Sequence, residues 1–260
     1  MKKPALPLVS IVTPSLNQAP FLRAAMESVL SQDYPRLEYI VVDGGSTDGS
    51  PSIIGRYAER LAWWVSEKDL GQTDAINKGF GHARGEILAW LNSDDTYEPG
   101  AVGKAVKYFL AHPAVGMVYA NANYVNEHGR VIGRFPAART DYRRLRQGYV
   151  HIPQQAAFFR AALWRELGPL DASFYFAMDY DLWTRIAARS QLTFLADQTW
   201  ANFRIHASAK TIAADDRCWP EMLRIHYRDG GSFFSVLVAK YYLRQLVAHF
   251  WNWRRRMILR

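Results

Sequence analysis

The sequence predicts an α/β protein in which a mostly parallel sheet is covered by helices on both faces. Short β-branched or aromatic runs recur through the first half of the chain, segments with helical spacing separate them, and polar turn residues follow each run. Alternation of strands and helices at this spacing is typical of parallel sheets held between helix layers. With 260 residues, of which 49% are hydrophobic, the chain can bury a sizeable core.

The predicted strands and helices follow one another in chain order. The runs that predict strands are Leu8–Thr13, Tyr39–Val42, Trp63–Val65, Ile87–Leu91 and Val115–Tyr119. The segments with helical spacing between them are Phe21–Leu30, Ile53–Leu61, Thr73–Ala83 and Ala101–Leu110. A hairpin with its turn near Gly129 follows, and Ala161–Leu167 and Tyr180–Arg189 predict two more helices. Because no repeat or clear linker interrupts the chain, we expect one domain over residues 1–215 and a helical tail over residues 216–260.

Composition excludes several classes of protein. Aromatic residues make up 14% of the chain, which excludes a disordered protein. The single cysteine, Cys218, cannot form an internal disulfide, which indicates a reducing compartment or indifference to redox state. No apolar run is continuous enough to span a membrane, and Pro4, Pro7 and Pro14 break the apolar stretch that a secretory leader would need. We therefore expect a cytoplasmic protein.

Most of the net charge of +8 lies in the tail. From Arg217 onward nine basic residues stand against two acidic ones, so this segment carries +7. The basic residues accompany an apolar helical face and form no groove-reading motif, which disfavours nucleic-acid binding. The apolar arc of the predicted helix Ser232–Trp253 consists of Tyr242, Leu243, Leu246, Val247, Phe250 and Trp253. The opposite arc consists of Lys240, Arg244, Gln245, His249 and Asn252. Such a helix either packs its apolar face on protein or lies on an anionic membrane surface at the inner face of the plasma membrane, with the arginines at 254–256 beside it.

Polar segments follow the first four predicted strands: Thr13–Asn17, Asp43–Gly49, Ser66–Asp69 and Asn92–Asp95. Ordinary turns and helix caps use the same residue types. In open parallel sheets, however, ligands bind beyond the C-terminal ends of the strands, so the four segments would meet at one edge. Three of them deliver carboxylates, which repel one another, and a bound cation would explain why they are kept together.

With these motifs the sequence resembles glycosyltransferase family 2, which has the GT-A fold. The resemblance covers about residues 8–210, and several motifs in the family's order and spacing make it specific. The motifs are VSIVTPSLNQ, VVDGGSTDGS, EKDLGQTDAINKG, GEILAWLNSDD, MDYDLW and FRIHASAKT. The resemblance implies transfer of a sugar from a nucleotide-diphosphate sugar, most often a UDP-sugar.

The resemblance also implies a donor site and a metal site. Asp43 would accept a hydrogen bond from the base, and a carboxylate suits that task because a charged acceptor strengthens the bond. Asp95 and His206 would hold Mn²⁺ or Mg²⁺, while Asp94 would hold the ribose or assist the metal. The residues implied to bind the nucleotide sugar are Thr13, Pro14, Asn17, Asp43, Ser46, Asp74, Lys78 and Asp94. Asp74 and Lys78 can equally be a helix N-terminal acid and a solvated lysine.

On the acceptor side the resemblance implies a catalytic base, Asp179. The family usually has Glu-Asp here, and Met178 replaces the first acid, so acceptor binding is expected to differ. Gln154 and Gln155 would bind sugar hydroxyls, since amides both donate and accept hydrogen bonds. Asp181, two residues after the base, is expected to have a structural role.

The sequence therefore predicts a metal-dependent, inverting hexosyltransferase acting on a saccharide or lipid-linked acceptor, in bacterial surface polysaccharide or lipopolysaccharide assembly. A catalytically inactive, nucleotide-binding scaffold at the membrane is the alternative, although Asp95 and Asp179 argue against it. A sugar-nucleotide pyrophosphorylase would need a glycine-rich, basic phosphate loop after the first strand, and residues 13–20 do not supply one.

Overall fold

The computed structural model describes residues 6–207, 209–210 and 218–258, with side chains described as far as residue 247. The proline-broken N-terminal segment lies partly outside these residues, and the domain boundary expected at 215/216 lies wholly outside them. The strands are β1 Val9–Ser15, β2 Leu37–Asp43, β3 Trp63–Ser66, β4 Ile87–Trp90, β5 Thr96–Tyr97, β6 Val115–Val125, β7 Val131–Arg134, β8 Ala157–Arg160 and β9 Gln191–Arg204. The helices are α1 Ala19–Leu30, α2 Ser50–Gly55, α3 Gln72–His82, α4 Ala101–Ala111, α5 Tyr142–Arg146, α6 Ala161–Leu167, α7 Met178–Ala187, α8 Cys218–Arg228 and α9 Val236–Ile258.

Within the described residues all strands join one mixed sheet. Its order is β3-β2-β1-β4-β8-β6-β9-β5, and β7 pairs with β6 outside this path. The first four strands of that order are parallel, as predicted. β8 runs antiparallel between β4 and β6, and β5 and β7 are also antiparallel to their neighbours. The predicted α/β class is confirmed, and β6 and β9 form a further parallel pair in the second half of the chain.

The core lies on both faces of this sheet. Because side chains alternate along a strand, Val9 and Ile11 of β1 enter one apolar cluster and Val12 enters the other. Trp90 and Trp183 stack in the second cluster with ring centroids 5.3 Å apart. These tryptophans are therefore part of the core.

Asp181 makes structural contacts, as expected. It is fully buried on α7, where it accepts a hydrogen bond of 2.9 Å from Arg185 on the same helix. It also forms an ion pair with Arg228 on α8. The ion pair joins the C-terminal helices to the rest of the protein, and Ile225 of α8 enters the second apolar cluster.

The last helix, α9, turns its apolar arc outward. Leu237 and Val238 at its start are buried, but further along Leu243 and Leu246 are 63% and 68% exposed. Arg244, on the opposite arc, is half-buried and lies over the ring of Trp219. The side chains expected at Phe250, Trp253 and 254–256 lie outside the described residues. No helix in the described part of the chain has both the length and the apolar character needed to cross a bilayer.

Candidate functional site

A cavity of about 850 Å³ opens where β1, β3 and β4 end. Its lining includes Pro14 and Ser15 at the end of β1, Leu16 just after it, Asp69 after β3, and Asn92, Ser93 and Asp94 after β4. The opposite wall comes from residues 148–155, residues 175–180 and α8. Three of the four predicted strand-end segments therefore meet at one cavity, and the segment after β2 lies behind it.

Asp94 and His206 form the closest pair of potential metal ligands at this edge. The Nε2 atom of His206 lies 3.1 Å from Oδ2 of Asp94, and Asp94 lines the cavity. Two ligands bound in adjacent positions, each about 2.1 Å from one ion, would be about 3 Å apart, so this pair fits a divalent cation. Among the described residues no group of three or more acidic, histidine or cysteine side chains could hold a metal. Phosphate oxygens and water would have to complete the coordination, as is usual for Mg²⁺.

Asp95 does not face the cavity, which corrects its expected place as the metal ligand. It is fully buried, and its Oδ1 accepts a hydrogen bond of 2.9 Å from the backbone nitrogen of Arg204 on β9. Burial and the neighbouring charge of Asp94 raise the pKa of Asp95 well above its usual value. Asp95 directly precedes β5, which pairs with β9, so its carboxylate points into the sheet. Of the two adjacent acids, only Asp94 is available to a ligand in the cavity.

Asp43 holds the loop that follows β2. Its carboxylate accepts hydrogen bonds from the backbone and hydroxyl of Ser46 and from the hydroxyl of Ser66, 2.7 Å away. The Ser46 hydroxyl in turn accepts a bond of 2.7 Å from the backbone nitrogen of Asn17. Asn17 has a φ of +52°, a left-handed conformation that asparagine tolerates. Asp43, Ser46 and Asn17 therefore shape the floor beside the cavity and are not among its lining residues.

The other predicted donor residues are divided between the cavity and its support. Pro14 lines the cavity, whereas Thr13 is buried and accepts a bond of 2.9 Å from Tyr39. On α3, Asp74 accepts a bond of 3.2 Å from the backbone of Leu70, and Lys78 pairs with Glu67 at 2.7 Å. Asp74 and Lys78 thus make the local contacts of a helix N-terminal acid and a surface lysine, and neither lines the cavity.

The loop after β3 brings Asp69 close to Gly44. A Cβ atom at Gly44 would lie 2.7 Å from Oδ2 of Asp69, so a larger residue there would displace this carboxylate. The carboxylate accepts a bond of 2.9 Å from the backbone of Gly71, and burial raises the pKa of Asp69. Asp69 lines the cavity and is an acidic residue that the motif comparison did not single out.

Asp179 lies half-buried on the far wall of the cavity, at the start of α7. Burial raises the pKa of its carboxyl above the usual value, and the nearby charge of Lys210 opposes that rise. The loop before it is fastened by Glu221 of α8, whose carboxylate accepts bonds from the backbone nitrogens of Tyr175, Phe176 and Ala177. The candidate base is therefore carried on a loop that a C-terminal helix holds in place.

The predicted acceptor residues line the same wall. Met178 is buried beside Thr73, with its sulfur 2.8 Å from the Thr73 hydroxyl. The amide of Gln154 donates to the backbone oxygen of Trp90 at 2.7 Å, and Gln155 bonds to Asp95. Both glutamines border the cavity, as expected for acceptor-side residues, and each amide also makes a hydrogen bond within the protein.

Lys210 and Gln72 also line the cavity, and the motif comparison missed their contribution. The ammonium group of Lys210 donates to Oε1 of Gln72 at 2.9 Å, and Gln72 donates to Asn92 at 2.7 Å. Lys210 lies within the FRIHASAKT motif, four residues after His206, but only the folded chain places it beside Asp179. The sequence does not point to Glu221, because this residue lies in the segment expected to form a helical tail.

Sequence comparison finds relatives among bacterial glycosyltransferases. The family model described as glycosyl transferase family 2 matches residues 10–167. A Mycobacterium tuberculosis protein named as an uncharacterized glycosyltransferase is 33% identical over 184 residues, which are 70% of this chain and 69% of that protein. A PGL/p-HBAD biosynthesis glycosyltransferase of Mycobacterium bovis is 30% identical over 181 residues, 68% of each protein.

Solved structures with the same fold extend the likeness beyond residue 167. The crystal structure of S. aureus TarS 1–349 with UDP-GlcNAc matches 90% of this chain and 71% of the solved TarS segment, with a TM-score of 0.72 and 16% identity. The mannosyltransferase PcManGT from Pyrobaculum calidifontis, in complex with GDP-Man and Mn²⁺, matches 92% of this chain and 70% of its own, with a TM-score of 0.67 and 26% identity. These likenesses confirm the GT-A fold.

Proposed function

The chain belongs to glycosyltransferase family 2, and on that premise we propose that it transfers a hexose, with inversion, from a nucleotide-diphosphate sugar to a saccharide or lipid-linked acceptor. The observation that carries this proposal is one cavity lined by both Asp94, which bonds to the buried His206, and Asp179. The pathway that we propose is assembly of a bacterial surface polysaccharide or lipopolysaccharide, on the cytoplasmic side of the membrane. The relative that carries a biosynthetic name supports a role in making a glycosylated product.

The donor is proposed to lie along Pro14–Leu16, with its diphosphate toward Asp94. Two of the solved relatives hold UDP-GlcNAc and GDP-Man, which supports a nucleotide-diphosphate sugar, and we propose a UDP-sugar. The loop held by Asp43, Ser46 and Asn17 would shape the place of the base.

The proposed ligands of the divalent cation are Asp94 and His206. A carboxylate suits Mn²⁺ and Mg²⁺, and an imidazole alongside it favours Mn²⁺, the ion held by the archaeal mannosyltransferase. When bound, the ion neutralises negative charge on the two phosphates of the donor. Asp95 supports this site by fixing the segment after β4 to the backbone of β9.

Asp179 is the proposed general base. As the acceptor oxygen attacks the anomeric carbon from the side opposite the nucleotide, Asp179 takes the hydroxyl proton. The bond from the anomeric carbon to the phosphate oxygen breaks, and its electron pair leaves with the nucleoside diphosphate. A positioned base of this kind contributes about 10²–10⁴-fold to rate.

The acceptor side of the cavity supports a partly apolar acceptor. Val150, Ile152, Met178 and Met222 line it, and the neighbouring glutamine amides bond to the protein. A saccharide attached to a lipid would place apolar atoms against this wall, and we propose that class of acceptor.

The outward face of α9 supports association with an anionic membrane. Tyr242, Leu243, Leu246 and Val247 are 48–68% exposed, while Arg244 and Gln245 of the polar arc are half-buried. The segment over residues 216–260 is also strongly basic. Aromatic and aliphatic residues beside basic ones are typical of helices that lie in the lipid interface.

A donor screen tests this proposal. Purified protein is incubated with UDP-, GDP-, ADP-, CMP- and dTDP-sugars, in Mn²⁺ or in EDTA, and release of the nucleotide is measured. We expect metal-dependent turnover of one donor, lost in Asp94→Ala and kept in Asp197→Ala, an exposed acid on β9. Binding of a donor without hydrolysis or transfer to any acceptor would favour the inactive scaffold, and no binding of any donor would overturn both.

A further inference from the structure

The cavity has an unequal charge distribution. Among the described residues that line it, Asp69, Asp94 and Asp179 are acidic and Lys210 is the sole basic residue. A donor would bring two phosphates into a space that already holds three carboxylates. Two cationic groups are therefore available to those phosphates: the cation proposed at Asp94 and, among the described residues that line the cavity, the Lys210 ammonium.

Within the part of the chain that the structure describes, Lys210 lies over an aromatic surface and forms no ion pair. Its ammonium nitrogen lies 4.0 Å from the centroid of the Tyr175 ring and 5.4 Å from that of Phe176. Within the described residues, its ammonium group donates a hydrogen bond to Oε1 of the uncharged Gln72 amide. An ammonium group has three donors, and one of them is used within the described residues.

The nearby acids do not pair directly with this lysine. Glu221 faces it, but its two oxygens accept the three backbone bonds of residues 175–177. Asp179 also faces it, and its Oδ1 accepts a bond of 2.7 Å from the backbone of Tyr180. Within the described residues Lys210 forms no ion pair within 4 Å, and a buried charge without a partner is costly unless a ligand supplies one.

A chain of hydrogen bonds joins Lys210 to the segment that carries Asp94. The Lys210 ammonium donates to Gln72, and Gln72 donates to Asn92, two residues before Asp94. Gln72 therefore spans the distance between the lysine and the start of this segment. A diphosphate lying between them would meet the Lys210 ammonium at one end and the cation proposed at Asp94 at the other.

We propose that Lys210 binds the diphosphate of the donor and stabilises the negative charge that leaves with the nucleotide. This inference rests on the proposed function, because it names a second cationic contact in the same donor site. The ammonium donates to a non-bridging phosphate oxygen, and charge-assisted bonds of this type are about twice as strong as neutral ones.

Binding of the donor diphosphate to Lys210 should depend on pH. Burial lowers the pKa of Lys210 to about 8, although Asp179 and Glu221 favour its charged form. A bound phosphate favours the charged form further, so binding is strongest below pH 8 and falls as the pH rises above it, up to tenfold per pH unit. Cys218 also lines the cavity and a thiol can titrate there, so the test uses a Cys218→Ser background.

Calorimetric titration with UDP and with uridine tests the proposal between pH 7.0 and 9.5, in fixed Mg²⁺. GDP and guanosine replace them if UDP does not bind. For Lys210→Met we expect UDP affinity to fall about 10- to 100-fold at pH 7.5, while uridine affinity stays within about threefold. Lys210→Arg should keep most of the UDP affinity without the decline near pH 8, and Lys240→Met, an exposed lysine on α9, should behave as the unaltered protein.

The possible results are distinguishable. Normal UDP binding by Lys210→Met, or an alkaline decline that persists in it, overturns this inference and leaves the proposed function standing. If Lys210→Met binds UDP normally but its fall in rate at low pH is shifted, Lys210 acts on Asp179. That result also overturns this inference. If the unaltered protein binds no nucleoside diphosphate, the proposed function fails as well.

Discussion

Glu221 accepts a hydrogen bond of 2.7 Å from the backbone nitrogen of Phe176, and this contact fixes the loop that leads into Asp179. The same carboxylate also holds Tyr175 and Ala177. A residue on a C-terminal helix therefore sets the position of the candidate base, 42 positions earlier in the chain.

Replacing Glu221 should release that loop. In Glu221→Ala three backbone N–H groups lose their acceptor, and we expect a loss of about 3 kcal/mol in the free energy of unfolding together with at least a tenfold lower kcat. Urea unfolding and sugar transfer measure the two effects. Glu59→Ala, an exposed acid, is the control, and unchanged kcat in Glu221→Ala would show that the loop holds its position without this contact.

Replacing each of the two adjacent acids after β4 on its own should distinguish their roles. Asp94→Asn is expected to weaken Mn²⁺ binding at least tenfold, since it removes a charged oxygen ligand. Asp95→Asn keeps an oxygen that can accept from the backbone of Arg204, so Mn²⁺ affinity should change less than about threefold. Electron paramagnetic resonance titration of Mn²⁺ measures both, and a greater loss in Asp95→Asn would reverse the assignment.

Loss of the base should affect turnover and leave donor binding intact. We expect Asp179→Asn to lower kcat by about 10²–10⁴-fold while the affinity for the donor changes little. In the unaltered protein the carboxylate must be ionised, and burial raises its pKa, so kcat/KM should fall with decreasing pH through a value above the ordinary range for aspartate. A pH–rate profile with Asp171→Asn as control checks this, and undiminished kcat in Asp179→Asn would assign the base elsewhere.

The outward arc of α9 should govern adsorption to vesicles. The triple variant Phe234→Ser, Leu243→Ser and Leu246→Ser is expected to bind phosphatidylglycerol-containing vesicles at least tenfold more weakly, because these side chains are 63–94% exposed. Sedimentation with anionic and with neutral vesicles measures it. Val131→Ser with Ile132→Ser, equally exposed residues on β7, is the matched control. Equal binding by both variants would reject the membrane proposal and favour a protein partner for this face.

The first half of the fold could be predicted because its signals are local. β1 and β2 are buried apolar runs, and α1 and α4 carry periodic apolar faces, so each could be recognised within a few residues of its true bounds. β8 was not predicted because four residues between a turn and a helix give too short a pattern. The 14-residue β9 was missed because its mixed polar and apolar residues show no simple alternation over its length.

The candidate site could be predicted as a set of segments, but not atom by atom. The motif after β4 pointed to Asp94 and Asp95 together, and only the pairing of β5 with β9 shows which carboxylate faces the cavity. Lys210 and Glu221 were missed for a related reason, since burial and opposing charges arise from residues distant in sequence. Gln154 and Gln155 lie where they were expected, but the hydrogen bonds that occupy their amides are properties of the folded protein.

Because α8 forms part of the cavity wall, the proposed site extends well beyond the segment that the family model matches. Residues 10–167 contain the segments beyond β1 and β4, whereas Asp179, His206, Lys210 and Met222 all follow them. The proposed contacts to the donor diphosphate and the candidate base therefore both depend on the later part of the chain. A chimaera that exchanges residues 168–258 between two relatives should therefore draw its donor site from both parents.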